Sequence, residues 1–201
     1  MSSVKFLFPK TNNNKLLKID EIGKYSISKP DDADSISQFI SKNVLNVQNN
    51  LNNIIITDCT AGVGGNTISF CKYFNFVNSI EVDKIRFNYL KNNIEIFNLD
   101  NCKLINSDML SDIFKIKQDI LFIDPPWGGI DYCKKANLDL FINKIEITDV
   151  CNKILKCKIC KLLVLKLPYN YNIINFDNLN KIYKHDHMTI RNKILLYTFY
   201  S

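Results

Sequence analysis

The chain has 201 residues, 46% hydrophobic and 23% charged, the size and balance of one globular domain with a single sizeable core. No apolar run reaches the ~18 residues needed to span a bilayer, and Met1 to Pro9 lacks the apolar core and cleavage site of a secretory leader; both argue for an intracellular protein, cytoplasmic or nuclear. The net charge of +6 suits a polyanionic partner such as RNA, although a Lys-, Asn- and Ile-rich composition from an AT-rich genome produces the same excess.

Residues 1–24 are polar and read as an irregular arm, followed by one domain over 25–201. Pro30 with Asp31 and Asp32 opens a helix whose apolar face is Ile36, Phe39, Ile40 and Val44. From residue 54 the chain alternates. Ile54 to Asp58 reads as a buried strand and Gly65 to Phe74 as a helix. Val77 to Asp83 is a second strand, and Lys84 to Phe97 has apolar residues at helical spacing. Lys103 to Asn106 and Ile120 to Ile123 are two further strands. Leu138 to Leu155 reads as one long amphipathic helix, and Lys161 to Leu167 as a fifth strand. The tail, Lys181 to Thr189 and Lys193 to Tyr200, reads as an antiparallel pair joined near Arg191. Such alternation predicts a doubly wound α/β sheet, mostly parallel with a C-terminal antiparallel hairpin. Ligands in such sheets bind at the carboxyl ends of the strands.

Seven cysteines, an odd number, sit mostly in apolar or helical patterns and suit reduced thiols better than a disulfide framework. Cys157 and Cys160 form a CxxC without a second pair at zinc spacing, so no metal site is expected. His185 and His187 share one face of a tail strand and read as surface residues.

Three strand ends carry unusual residues in order. The first runs into Asp58-Cys59-Thr60-Ala61-Gly62-Val63-Gly64-Gly65-Asn66-Thr67. Glycines there allow a tight turn against a ligand, but the GxGG spacing and the missing Walker lysine disfavour a phosphate cradle. The second strand ends near Glu81, whose carboxylate could accept from the ribose hydroxyls of an adenosyl group. The third ends at Asp108-Met109. Asp108 could accept from an adenine amine, and Met109 offers a backbone N–H and an apolar wall. Asp58, beneath the glycine turn, could bind an ammonium group directly or through water. This pattern fits S-adenosylmethionine (AdoMet).

The fourth strand ends in Asp124-Pro125-Pro126-Trp127, a pattern shared with amino-methyltransferases. The lone pair of an exocyclic amine is delocalised into its ring. The Asp124 carboxylate and the Pro125 carbonyl could accept the amine hydrogens and aim the lone pair at a methyl donor; positioning of this kind supplies up to roughly 7–11 kcal/mol. Trp127 could stack on a base, and a cationic base adds a cation–π component.

Together these segments resemble the trimethylguanosine synthase family of RNA-cap guanine-N2 methyltransferases. The resemblance runs through DCTAGVGGNTISF (58–70), IEVDKI (80–85), DPPWGGIDY (124–132) and LKLPYN (165–170). YSISKP (25–30) resembles the segment that closes over the cofactor. The resemblance implies a class I AdoMet-dependent methyltransferase fold and transfer to N2 of 7-methylguanosine, in capped RNA or a cap dinucleotide, by a monomer without metal. It implies cofactor contacts from Ser28, Asp58, Thr60, Ala61, Gly62, Gly64, Asn66, Thr67, Glu81, Asp108, Met109 and Asp124. Trp127, Asp131, Tyr132 and Lys18 are implied at the substrate, Lys18 on the cap phosphates. Two positions depart from the pattern: Asp124 stands where members often have Ser, and Tyr169 where they can carry an Arg. The long N-terminal extension of eukaryotic members has no counterpart, which suggests a minimal protist or viral form. Two other readings stay open, an amino-methyltransferase acting on adenine N6 of DNA or RNA or on guanine N2 of tRNA or rRNA, and a non-catalytic cap- or RNA-binding module.

Overall fold

Two-residue alternation decides how the central strands pack. In β4 (Ile120–Ile123), Ile120 and Phe122 join a core with Ile36, Ile40 and Phe70. Leu121 and Ile123 join a second core with Ile147, Ile154 and Leu163 on the opposite face. A strand apolar on both faces needs a helical layer on each side. The computed structural model, which describes residues 6–47 and 52–201, has this three-layer arrangement. The first five residues of the arm lie outside the described part.

In chain order, the arm contains a 3₁₀ turn (Asn14–Leu16) and α1 (Glu21–Ser26), and α2 is Pro30–Val44. Then come β1 (Ile55–Asp58), α3 (Gly65–Tyr73), β2 (Phe76–Ile80), α4 (Lys84–Ile96), β3 (Cys102–Ile105) and α5 (Met109–Asp112) before β4. After β4 follow β5 (Phe141–Ile142), β6 (Ile145–Glu146), α6 (Ile147–Cys157), β7 (Leu162–Pro168), α7 (Asp177–Asn180), β8 (His185–Ile190) and β9 (Ile194–Tyr200). The sheet order is β3-β2-β1-β4-β7-β9-β8. The first five strands are parallel, and β9 runs antiparallel between β7 and β8. The order reverses between β1 and β4, which makes that junction the topological switch point, where α/β sheets bind ligands.

The arm is more structured than its polar composition predicts. Asp20 caps α1 by accepting from the Gly23 N–H at 2.8 Å, and Phe8 and Leu17 are buried against Val63, Ile68 and Leu90. At α2, Pro30 takes the first turn with Asp31 and Asp32. The proline needs no N–H partner there, and the two carboxylates complement the helix dipole.

Three elements differ from the sequence reading. The span 138–155 is not one helix. Leu138 bridges to Tyr171, β5 and β6 form a two-stranded ribbon, and α6 starts only at Ile147. The ribbon turns through Asn143 and Lys144, at φ of +50° and +68°, as a two-residue hairpin turn requires. The second strand stops at Ile80, because Asp83 leaves the sheet to cap α4, accepting from the Ile85 and Arg86 N–H groups at 2.9 Å. In the tail, residues 181–184 continue from α7 as a turn and pairing starts at His185. The β8–β9 turn is Arg191 and Asn192, also at positive φ.

Candidate active site

The carboxyl ends of the strands open into a cavity of about 680 Å³. The segment running from α1 into α2 covers one side of it, through Ile22, Tyr25, Ile27, Ser28 and Lys29. Gly65 explains how that segment lies so close: a Cβ there would stand 2.8 Å from the Ser28 carbonyl oxygen. Ser28 is 6% exposed and lines the cavity, and among the described residues its buried hydroxyl has no hydrogen-bond partner.

The end of the cavity under β2 and β3 is acidic. Glu81 is buried; its Oε2 accepts from the Gly62 N–H and its Oε1 from the Asp83 N–H, both at 2.8 Å. Arg86 Nε stands 3.6 Å from Oε1. The carboxylate therefore fixes the glycine turn, and each oxygen keeps a second lone pair. Asp108 caps α5 by accepting from the Leu110 N–H at 3.0 Å, and its other oxygen accepts from Asn143 of the β5–β6 turn. Met109 is buried beside it and lines the cavity. Two fixed carboxylates, an orphaned hydroxyl and a cavity of this volume fit the ribose, base and charged tail of an adenosyl cofactor.

At the switch point, the Thr60 hydroxyl accepts from the Asp124 N–H at 2.8 Å. The Asp124 side chain is 16% exposed, and its Oδ2 accepts from Lys166 Nζ at 2.5 Å. Burial raises the Asp124 pKa, and the adjacent Lys166 ammonium pulls it back down. The Trp127 indole N–H adds a weaker pull of the same sign without reaching hydrogen-bond geometry. Trp127 meets the Tyr132 ring edge-on at 5.0 Å, and the Lys166 ammonium lies 5.0 Å from its ring centroid. Gly128 and Gly129, at φ of +86° and +89°, have open space where a Cβ would stand.

Of the expected site residues, Ser28, Thr60, Glu81, Asp108, Met109, Asp124, Pro125, Trp127 and Tyr132 line this cavity. Others lie outside it. Asp58 sits beneath the glycine turn but is wholly buried. It accepts from the Thr67 hydroxyl at 2.7 Å and from the Thr60 N–H at 3.4 Å, so its carboxyl ties the strand end to the glycine turn and is not part of the cavity lining. Burial pushes it up to about 7. Ala61, Asn66 and Thr67 are buried, and Gly62 and Gly64 are bent at positive φ; these five shape the turn rather than line the cavity. Lys18 is anchored by its backbone to Asn93, in both directions at 2.8 Å, and its exposed side chain is not among those lining the cavity. Asp131 is exposed and pairs with Lys134 at 2.7 Å.

Sequence reasoning missed Lys166, Arg86 and Asn143, all of which line the cavity. Lys166 carried a signal: it is the one charged residue inside LLVLKLP, the otherwise apolar β7. Among the described residues no group of three or more His, Cys, Asp or Glu is placed to hold a metal, and no helix is long and apolar enough to cross a membrane. His185 and His187 are exposed and stack on Tyr197 at 5.7 and 5.9 Å.

The model of the RNA cap guanine-N2 methyltransferase family matches residues 53–196. The chain belongs to that family. It is 35% identical over 201 aligned residues to the uncharacterized protein L320 of Acanthamoeba polyphaga mimivirus, covering 89% of this chain and 78% of that one. It is 26% identical to the trimethylguanosine synthase of Saccharomyces cerevisiae over 83% of this chain and 53% of the relative. With that of Schizosaccharomyces pombe it shares 39% identity over 41% of this chain and 37% of the relative. The chain thus spans about half or less of the length of these two synthases. Among solved structures, a methyltransferase from Geobacter sulfurreducens superposes with a TM-score of 0.61 at 15% identity, covering 89% of this chain and 82% of that one. The precorrin-6y C5,15-methyltransferase of Geobacter metallireducens gives 0.58 at 12% identity, over 96% and 98%. The fold is that of the class I methyltransferases, and fold and family together imply an AdoMet-dependent methyltransferase.

Proposed function

We propose that this protein methylates the exocyclic N2 of 7-methylguanosine in an RNA cap. The observation that carries the reading is the shared wall of Asp124 and Trp127, at the end of β4, in the same cavity as Glu81 and Asp108. Glu81 and Asp108 would hold the ribose hydroxyls and the adenine amine, and the Ser28 hydroxyl the polar tail. When bound, AdoMet supplies an electrophilic sulfonium methyl. Asp124 Oδ1, with Oδ2 already held by Lys166, accepts one amine hydrogen, and the Pro125 carbonyl accepts the other. Both acceptors are fixed before the substrate arrives, so they aim the lone pair without reorganising. Trp127 stacks on the base, and a 7-methyl cation strengthens that contact. Covering the cavity with the 22–29 segment keeps water from the reacting atoms.

Mass analysis of a 7-methylguanosine cap dinucleotide incubated with protein and AdoMet tests the reading. One or two added methyl groups on the guanine, with unmethylated GTP inert, is the expected result. Methylation of adenosine in RNA with the cap untouched would replace it with the adenine-N6 reading. Absence of AdoMet binding in calorimetry would replace it with a non-catalytic RNA-binding module.

A further inference from the structure

Lys166 is 3% exposed and stands near the carboxyl end of β7, whose seven residues are all buried. Strand alternation puts it on the same face as Leu162 and Val164, and its position beside the end of β4 follows from the register Ile123↔Leu165. An ammonium has three donors. Here one is taken by Asp124 Oδ2 at 2.5 Å, and the Trp127 ring lies at 5.0 Å. Among the described residues no other hydrogen bond satisfies it, and a nearly buried charge with spare donors is costly unless something accepts from them. It lines the cavity beside Asp124, Pro125 and Trp127.

The pairing also limits what Asp124 can do. A free carboxylate would bind the N1–H and N2–H edge of guanine with both oxygens. With Oδ2 engaged by Lys166, Oδ1 is the oxygen left for a substrate. An ammonium beside that oxygen repels the N1–H donor and suits an acceptor. On guanine the ring acceptor next to the N2 amine is N3. We propose that Lys166 is a substrate-reading residue that donates to guanine N3 while holding Asp124 as a single-oxygen acceptor for the N2 amine. This inference rests on the guanine-N2 reading and deepens it, selecting the sugar edge of the base for recognition. The charge balance follows. The nitrogen–methyl bond forms as the sulfur–methyl bond breaks, the electron pair stays on sulfur, and the amine proton leaves through Asp124 Oδ1 to water.

A second consequence concerns pH. Asp124 shares its surroundings with Asp58 at the end of β1 and Lys166 on β7, with Lys29 and Asp32 at the start of α2, and with Lys193 after the β8–β9 turn. Among these described charged groups Lys166 alone hydrogen-bonds its carboxylate, so removing that charge lets burial protonate Asp124 more easily.

The test measures kcat/KM for the wild type, Lys166→Met and Lys166→Arg on a 7-methylguanosine cap nucleotide and on its 3-deaza analogue. For the wild type, loss of N3 should lower kcat/KM roughly 10- to 100-fold, as for one hydrogen bond to a charged donor. Lys166→Met should be slow on both and indifferent to the analogue. Its acid limb should move to higher pH, while Lys166→Arg keeps the limb near that of the wild type. Melting curves and AdoMet affinity identify a misfolded variant, and the wild-type comparison of the two nucleotides stands without any variant. Equal wild-type rates on both nucleotides overturn the N3 contact. An unmoved acid limb in folded Lys166→Met overturns the hold on Asp124. An inactive wild type on the capped nucleotide instead sinks the guanine-N2 reading itself.

Discussion

The Thr60 hydroxyl accepts a hydrogen bond from the backbone N–H of Asp124 at 2.8 Å, joining the loop after β1 to the loop after β4 across the switch point. One side of this tie carries the glycine turn and the other the amine-holding motif. Thr60→Val keeps the shape and removes the acceptor. The part-buried N–H then loses this partner, at a cost of up to about 1–3 kcal/mol. The expected outcome is a lower melting temperature and a fall in kcat larger than the change in AdoMet affinity; unchanged kcat would remove the coupling.

Asp124→Ala is expected to lower turnover by at least ~10²-fold, as for a removed transition-state acceptor, while largely sparing AdoMet affinity. It also strands the Lys166 ammonium, so denaturant melts should show a loss of about 3–5 kcal/mol. Retention of normal turnover would end the amine-holding role.

Trp127→Ala should weaken binding of a 7-methylguanosine cap analogue by roughly 1–3 kcal/mol in fluorescence titrations. Trp127→Phe should recover part of it, because a smaller ring still stacks. Equal affinity in all three proteins would count against stacking.

Glu81 holds Gly62 and Asp83 through its two oxygens. Glu81→Ala is expected to raise the AdoMet dissociation constant by ~100-fold or more, since it removes the ribose acceptor and loosens the glycine turn together. Glu81→Gln should fall between the two, and an unaltered constant for both would displace the ribose assignment.

Asp58 gives a prediction with a definite sign. Burial raises its folded pKa to about 7, against about 4 in an unfolded chain. Between those values the folded protein keeps a proton that the unfolded chain releases. Stability from this group is therefore fully present below pH ~4 and is lost as pH rises to ~7, by up to about 4 kcal/mol. Asp58→Asn should flatten that slope. Urea melts from pH 4 to 8 check it, and parallel profiles for the two proteins would contradict the assignment.

Local chemistry made much of this molecule legible. The short apolar run Ile120 to Ile123 reads as a buried strand, and an Asp-Pro-Pro-Trp end on it marks a ligand-facing loop. Glycines at 62 and 64 announce positive φ because other residues are strained there. Periodicity failed at 138–155, where a two-residue turn at Asn143–Lys144 breaks an apolar pattern that suits a helix equally well. It also missed the order in the arm, since Phe8 and Leu17 gain their burial from distant residues such as Val63 and Leu90.

From the residues alone came the strand–helix alternation, the glycine turn and the acidic and aromatic strand ends, because each is dictated by neighbours in the chain. Tertiary structure alone decided which of them share a cavity: it kept Asp58 beneath the glycine turn, left Lys18 outside and set Lys166 against Asp124. Residues 124 and 166 meet only because β4 and β7 pair in register, and a pairing across 42 positions leaves no trace in local spacing.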